Sequence, residues 1–199
     1  MAHEGLWVQL LELDAEQTAR RANCRYVADR GQYVVVLLES EYVVELSERR
    51  IFRRETCSSA GFIEQLCILA YLINARDMPF ADKLVRPEAL PGGQFFFRGP
   101  HTLPTAELAE AFGRHPEDLY RAAESFGARR REFGDASVEL TVLPRIRLTI
   151  VVWGSDGEFD ARASILLDET AAEQLALDAL LAVLNLAVEA IVTFGSKKG

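Results

Sequence analysis

The stretch from Ile146 to Thr170 places spaced carboxylates where an apolar segment ends. It reads IRLTIVVWGSDGEFDARASILLDET. Asp156, Glu158 and Asp160 have the oxygen donors and the spacing that suit a hard cation such as Ca²⁺ or Mg²⁺. An EF-hand loop, however, needs twelve residues ending in a glutamate, and ARAS follows these acids instead.

The same residues also fit a turn. Asp and Gly between Gly154 and Gly157 are typical of a hairpin connection, and Trp153 and Phe159 would then pack beneath it. We favour the turn over a cation site, because turns collect these residue types without any function. No metal is assigned to the chain.

Asp168 ends an apolar strand just before the last helix. It would either cap that helix or present its carboxylate to a pocket, and Thr170 competes with it for the capping position. If Asp156, Glu158 and Asp168 converged on one pocket, they would support a metal- or cofactor-dependent enzyme, or serve as general acid and base.

The segment LPGGQFFFRGPHTLP is the main irregular part of the chain. Gly92 and Gly93 permit positive φ and close backbone approach, so the loop is a candidate phosphate cradle or pocket wall. It lacks the Lys-Ser/Thr of a P-loop. The three phenylalanines from Phe95 to Phe97 cannot all face one side of an extended chain, and a strand buried on both faces is the alternative.

Composition limits the classes of partner. The chain has 199 residues, with 22 basic and 30 acidic side chains and a net charge of −8, which opposes attraction to a phosphate backbone. Two basic clusters, Arg49 to Arg54 and Arg129 to Arg131, would form an anion-binding patch only if the fold joined them. Otherwise they are solvated turns beside strands. We expect no nucleic acid partner.

A cytoplasmic protein is expected. The first residues lack the basic start of a secretory signal. The three cysteines, Cys24, Cys57 and Cys67, are few and widely spaced, which favours reduced thiols over a disulfide framework. Cys57 would be a nucleophile only if it began the central helix. The apolar run from Leu175 to Phe194 carries three polar interruptions and predicts a core helix, so we expect no membrane partner.

Two short helices are expected at the N-terminus. Leu6, Leu10 and Leu13 recur at helical spacing, and Asp14 with Gln17 is the pattern of a second helix start.

The following segment predicts β-structure. QYVVVLL and YVVEL, separated by Glu39–Glu41, are typical of a hairpin, and Ile51 with Phe52 predicts a third strand. Three later antiparallel strands are VELTVL, RLTIVVW and ARASILLD.

Helices fill the intervals between these strands. Residues 61–76 form the predicted central buried helix, which ends before Pro79 and has Phe62, Leu66, Leu69, Leu72 and Ile73 on one face. Two short helices are expected at 105–112 and 116–126. Thr170 with Glu173 predicts a capping box for the last helix, which Gly195 would end. This order predicts one α+β domain over residues 1–199.

Several of these segments resemble one prokaryotic family, catalogued as domain of unknown function 3786. Trp153, Asp156, Glu158 and Phe159 match its W-x-x-D-x-E-F stretch, and SILLD ending at Asp168 matches the strand that follows. The segments LDAE, ILAYLINA and LPGG resemble the family's early helix start, its leucine-tyrosine-leucine helix and its proline-glycine loop.

The resemblance implies no established activity, so no catalytic residues are carried over and the cofactor stays unknown. It implies an association of some members with iron–sulfur or corrinoid proteins of anaerobic one-carbon metabolism. The present sequence has no cluster-binding cysteine run, so any cluster would belong to a partner. We therefore expect an accessory domain that binds a protein or a small ligand near Trp153, Asp168 and the Gly92-Gly93 loop. A homo-oligomer is left open.

Overall fold

The computed structural model describes residues 3–156 and 158–196, and these form an α+β fold with two antiparallel sheets. The helices are α1 (Glu4–Leu11), α2 (Ala15–Arg21), α3 (Phe62–Asn74), α4 (Gly93–Phe96), α5 (Thr105–Phe112), α6 (Asp118–Ala123), α7 (Ala171–Gln174) and α8 (Leu177–Ser196). The strands are β1 (Arg25–Val27), β2 (Gln32–Leu37), β3 (Ser40–Glu45), β4 (Arg50–Arg53), β5 (Leu84–Val85), β6 (Arg129–Arg131), β7 (Ala136–Leu143), β8 (Ile146–Trp153) and β9 (Arg162–Asp168).

The first sheet is a meander in the order β1-β2-β3-β4. Leu37 pairs with Ser40, so a two-residue turn, Leu38-Glu39, joins β2 to β3. Both turn residues have positive φ, as the tight hairpin turns that match strand twist require. The predicted turn at Glu39–Glu41 therefore began one residue too late, because Ser40 and Glu41 belong to β3.

The second sheet has the order β5-β9-β8-β7-β6, with every neighbouring pair antiparallel. Its three central strands are the three that the sequence predicts. The edge strand β5 comes from the region after the central helix and pairs with β9 through Leu84 and Val85. The sequence did not predict this strand or its pairing.

Helices α3 and α8 pack against each other in the core, and α5 and α6 also contact α8. The middle of α3, from Cys67 to Leu72, is buried on all sides. The prediction that Phe62 lies on the buried face is wrong. Phe62 is the first residue of the helix and is 62% exposed, and the centroid of its ring lies 4.2 Å from that of the His3 ring.

The last helix begins later than predicted. Thr170 makes no capping hydrogen bond, and α7 ends at Gln174, because the extended backbone of Leu175 interrupts the helix. The predicted capping box is therefore wrong, because the Thr170 hydroxyl donates to Asp168 instead. Gly195 does not end the helix either, since α8 continues to Ser196.

Helix α8 is long and apolar enough to cross a bilayer by length and composition. In the fold, its inward positions Val183, Leu184, Ala187, Val188 and Ile191 are fully buried. This burial against α3, α5 and α6 agrees with the predicted core helix.

Candidate functional site

The Arg162 guanidinium lies over the ring of Trp153, with its central carbon 4.5 Å from the ring centroid. The two residues face each other across β8 and β9, so strand pairing sets the contact. Trp153 is only half-buried. This cation–π pair lines two open cavities at once and forms the wall between them.

The Asp135 cavity lies on one side of the pair and has a volume of about 540 Å³. Its lining, besides the shared pair, is Asp135, Gly154, Asp156, Phe159 and Asp160. Asp135 Oδ2 accepts a hydrogen bond of 2.8 Å from the backbone N–H of Gly154, which anchors the end of β8. Three carboxylates make this cavity acidic.

Asp156 organises the turn that encloses this cavity. Its Oδ1 accepts hydrogen bonds from the backbone N–H groups of Phe159, at 2.9 Å, and Glu158, at 3.0 Å. These bonds hold the pKa of the Asp156 carboxyl below its ordinary value. Gly157, part of the predicted turn, lies outside the described residues.

Phe159 does not pack beneath the turn as predicted. It is 71% exposed, because the turn is held by Asp156 hydrogen bonds rather than by an aromatic core. Glu158 is also exposed. The structure therefore brings Trp153, Asp156 and Phe159 together around one cavity, with Glu158 on its outer surface.

Asp168 lies elsewhere, at the far end of β9. It lies six positions after Arg162 in the strand, or about 20 Å along the extended chain. Its Oδ1 accepts hydrogen bonds from the Thr170 hydroxyl and from the N–H groups of Thr170 and Ala81. Asp168 thus ties β9 to the turns at residues 81 and 170.

The three carboxylates of the enzyme alternative consequently do not converge. Asp156 and Glu158 lie in the turn before β9, whereas Asp168 is buried at its end. Within residues 3–156 and 158–196, no group of three or more His, Cys, Asp or Glu side chains is placed to hold a metal ion.

Gly92 and Gly93 shape the loop but do not line either cavity. Gly92 has φ of +78°, and a Cβ on Gly93 would lie 2.1 Å from the carbonyl oxygen of Pro87. Only glycine permits this contact between α4 and the 3₁₀ turn Pro87–Ala89. The two glycines therefore hold the loop that carries Phe97.

The three phenylalanines lie in and after α4, so the predicted buried strand is wrong. Helical geometry sends them in different directions: Phe95 is 75% exposed, Phe96 stacks on His101, and Phe97 is buried. Phe97 lines the Arg86 cavity, a space of about 400 Å³ on the other side of the Trp153–Arg162 pair. Arg86 and Glu88 contribute its charged groups opposite Arg162.

The basic clusters do not join into a patch. Arg49 to Arg54 surround β4 in the first sheet, and their arginines pair with Glu4, Glu45, Glu64 and Glu41. Arg129 to Arg131 form the edge strand β6 of the second sheet. The interpretation as solvated turns beside strands is also wrong for most of these residues, because Arg50–Arg53 is strand β4 and Arg129–Arg131 is strand β6.

Cys57 does not begin the central helix. It lies in the turn after β4, with φ of 56°, and α3 starts five residues later at Phe62. Its thiol is exposed, whereas Cys67 is fully buried within α3. The condition for a helix-activated cysteine nucleophile is therefore absent at Cys57.

Four charged residues of the two cavities were not singled out from the sequence: Arg86, Glu88, Asp135 and Arg162. Arg162 carried a weak signal, because a hairpin between RLTIVVW and ARASILLD brings the start of the second strand near Trp153, and Arg162 is the residue that pairs with it. Arg86 carried none, since it reaches the site through the pairing of β5 with β9.

The fold and the paired cavities define an α+β protein with an open, arginine-containing site at one sheet corner. The chain belongs to the family described as domain of unknown function (DUF3786), whose model matches residues 14–190. The resemblance drawn from the sequence is thereby confirmed. Comparison with curated proteins and with solved structures gave no match.

Proposed function

We propose that this protein is a non-catalytic accessory domain that binds a small ligand or a partner protein at the Trp153–Arg162 pair. The observation that carries the proposal is the pair itself, a half-buried tryptophan with a guanidinium on its face, shared by two cavities. Cavities of roughly 300–1,000 Å³ are the usual size for small-molecule sites, and both fall in this range.

Binding is favoured over catalysis by the positions of the acids. The enzyme alternative needs Asp156, Glu158 and Asp168 to act on one substrate. Asp168 lies at the opposite end of β9 from the cavities. Its Oδ1 already accepts hydrogen bonds from Thr170 and from the Ala81 N–H. Near Asp156, a second carboxylate would have to come from Asp135 or Asp160, which line the same cavity. Asp135 already accepts a hydrogen bond from the Gly154 N–H, which is a structural contact at the end of β8.

The partner class rests on the family resemblance. We propose a cytoplasmic protein that carries an iron–sulfur cluster or a corrinoid, with the cofactor held by the partner. The exposed aromatic Phe159 and the charged rims of both cavities offer contacts for such a protein.

The proposal is tested with protein purified from its own host. Native and denaturing mass spectra of one sample are compared, and its iron, cobalt and other metals are measured. The variants are Trp153→Ala and Arg162→Gln. Arg147→Gln is the matched control, because Arg147 lies over the Phe80 ring at 3.7 Å in the same sheet, away from the site.

We expect a bound small molecule or a partner of fixed stoichiometry with the wild type and with Arg147→Gln, and its loss with both site variants. Iron or cobalt that travels with the partner would support the proposed class. A bare polypeptide in the wild-type sample, or an adduct that both site variants retain, would contradict the proposed site.

A further inference from the structure

The Arg86 cavity opens where the second sheet loses a strand. Strand β5 pairs with β9 only through Leu84 and Val85, and Arg86 then leaves the sheet in the 3₁₀ turn that follows. Residues 162–165 of β9 thus have β8 on one side and the cavity on the other. Helix α5 packs on β9 and closes the far wall with Thr105.

Two guanidinium groups line this cavity without a carboxylate partner. Arg86 and Arg162 are both exposed, and neither forms an ion pair with any described residue. Glu88 is the one carboxylate in the lining, and it too pairs with neither arginine in the part of the chain that the structure describes. Arg145 and Arg147, by contrast, each pair with an aspartate.

Arg86 and Arg162 are set apart by the cavity that they share rather than by lacking a carboxylate partner. Nine arginines of the described residues pair with a carboxylate, whereas others, such as Arg114 and Arg129, do not. The lining of the Arg86 cavity holds two guanidinium groups and a single carboxylate, Glu88, so positive groups outnumber negative ones there. Guanidinium groups bind carboxylates and phosphates through paired N–H donors, which makes an oxyanion the complementary ligand.

The rest of the lining fits an anion that carries an apolar group. The hydroxyls of Thr105 and Ser164 make no side-chain hydrogen bond within the described residues and remain free to donate. Phe97, Leu103 and Ile165 are buried and form the apolar floor. A planar or aliphatic body would contact this floor while its charged end meets the arginines.

The neighbouring Asp135 cavity has the opposite charge. Asp135, Asp156 and Asp160 line it, and Arg162 is the one basic residue in its lining. The Arg86 cavity is therefore the more favourable of the two for an anion. The Trp153–Arg162 pair thus lies between a cavity lined by three aspartates and a cavity lined by two arginines and one glutamate.

We infer that the Arg86 cavity binds a small organic anion, a carboxylate or phosphate monoester on an apolar body, through Arg86 and Arg162. This inference rests on the proposed binding function and names its ligand class. It assigns Trp153 as the wall that holds Arg162 in place, since the ring lies directly beneath the guanidinium.

The test uses four probes with the full-length protein: phenyl phosphate, benzoate, inorganic phosphate and the neutral benzamide. Binding is measured by calorimetry and by Trp153 fluorescence, with fully buried Trp7 as a constant background. The variants are Arg86→Gln and Arg162→Gln, with Arg147→Gln as the control. Circular dichroism verifies that each exposed substitution leaves the fold intact.

We expect phenyl phosphate or benzoate to bind, benzamide to bind at least tenfold more weakly, and each site variant to lose about tenfold in affinity, as the loss of one charged hydrogen bond predicts. Phosphate and carboxylate sources are distinguished by which aromatic probe binds more tightly, and inorganic phosphate shows how much the apolar body contributes. Added salt should weaken binding of the anions alone.

Equal binding of benzamide and benzoate would overturn the anion inference but leave the proposed binding function standing. Anion binding that both Arg→Gln variants retain would place the site elsewhere and overturn the inference. The inference would also be overturned if the wild-type protein bound none of the charged probes at millimolar concentration. This holds even if the protein purified from its host carries another bound molecule or partner. Should a variant fail to fold, the salt dependence and the benzamide comparison on the wild type still decide.

Discussion

The hydroxyl of Thr170 donates a 2.6 Å hydrogen bond to Oδ1 of Asp168, and both residues are buried. Burial opposes ionisation of Asp168, but the hydrogen bonds from Thr170 and from the Ala81 N–H outweigh it. The pKa of the Asp168 carboxyl is therefore held below its ordinary value. A lowered native pKa stabilises the fold at every pH above the unfolded value of about 3.9, and that stability is lost as the pH falls through the native pKa.

Asp168→Asn should lower the free energy of unfolding by about 1–3 kcal/mol at pH 7, because a charged acceptor of three bonds becomes neutral. The difference from wild type should shrink as the pH drops below about 4. Urea unfolding at pH 7 and pH 3 measures both. Asp156→Asn, in the exposed turn, is the control and should unfold nearly as wild type does; a constant deficit for Asp168→Asn at both pH values would exclude the ionised carboxylate as the cause.

The two tryptophans should differ in their cost of removal. Trp7 is fully buried, so Trp7→Ala should destabilise by about 3–5 kcal/mol. Trp153 is half-buried, so Trp153→Ala should cost clearly less and act mainly on ligand binding. Chemical denaturation of the two variants under one set of conditions gives the comparison. A larger loss at Trp153 would mean that its ring is structural.

Arg145 joins three separate segments. Its guanidinium donates to the carbonyls of Arg21 and Met78 and pairs with Asp77. Arg145→Met should cost about 2–4 kcal/mol, because two carbonyls lose a charged donor. The matched change Arg147→Met breaks an exposed pair and should cost no more than about 1 kcal/mol. Thermal and urea unfolding of the two variants test the ranking, which equal costs would refute.

Gly93 and Gly5 are a second matched pair. An alanine Cβ at Gly93 would meet the Pro87 carbonyl, so Gly93→Ala must move backbone and should destabilise by at least about 2 kcal/mol. Gly5 in α1 has no atom within 4 Å of the same position, and Gly5→Ala should stabilise by about 0.5–1 kcal/mol. Opposite shifts in melting temperature are expected. Gly93→Ala should also weaken ligand binding, because the loop that carries Phe97 is displaced.

The three thiols should react at different rates. Burial raises the pKa of both Cys24 and Cys67 to about 12, whereas Cys57 is exposed. A maleimide should therefore label one thiol quickly in the native protein and the other two only after unfolding. Cys57→Ser should remove the fast reaction. Fast labelling of a second thiol, read by mass spectrometry of digested protein, would contradict the burial of the other two.

Much of the local structure was contained in the sequence. Asp14 caps α2 by accepting a hydrogen bond from the Gln17 N–H, as the pattern predicted. Helix α5 has the predicted bounds, Thr105–Phe112. Strands β7, β8 and β9 lie where the apolar runs placed them. Helix caps, hydrophobic periodicity and β-branched runs act over a few residues, so their effect on secondary structure can be predicted without knowing the fold.

The predictions at Thr170 and Phe159 were wrong although the hydrogen bonds that decide them span only two or three residues. Thr170 has a capping sequence, yet its hydroxyl donates to Asp168. That hydrogen bond replaces a capping preference worth about 1 kcal/mol. Phe159 donates its backbone N–H to Asp156, and its ring stays exposed on the turn.

The candidate site was half legible. Trp153 and Asp156 stood out by residue type, and the sequence by itself determined the α+β class, the acidic turn and the hairpin that faces Trp153 with Arg162. Only the tertiary structure brought Arg86 to that pair, through the antiparallel pairing of β5 with β9 some eighty residues further along the chain. Which strands meet across such a distance depends on the burial of the whole core, and no local pattern carries that information.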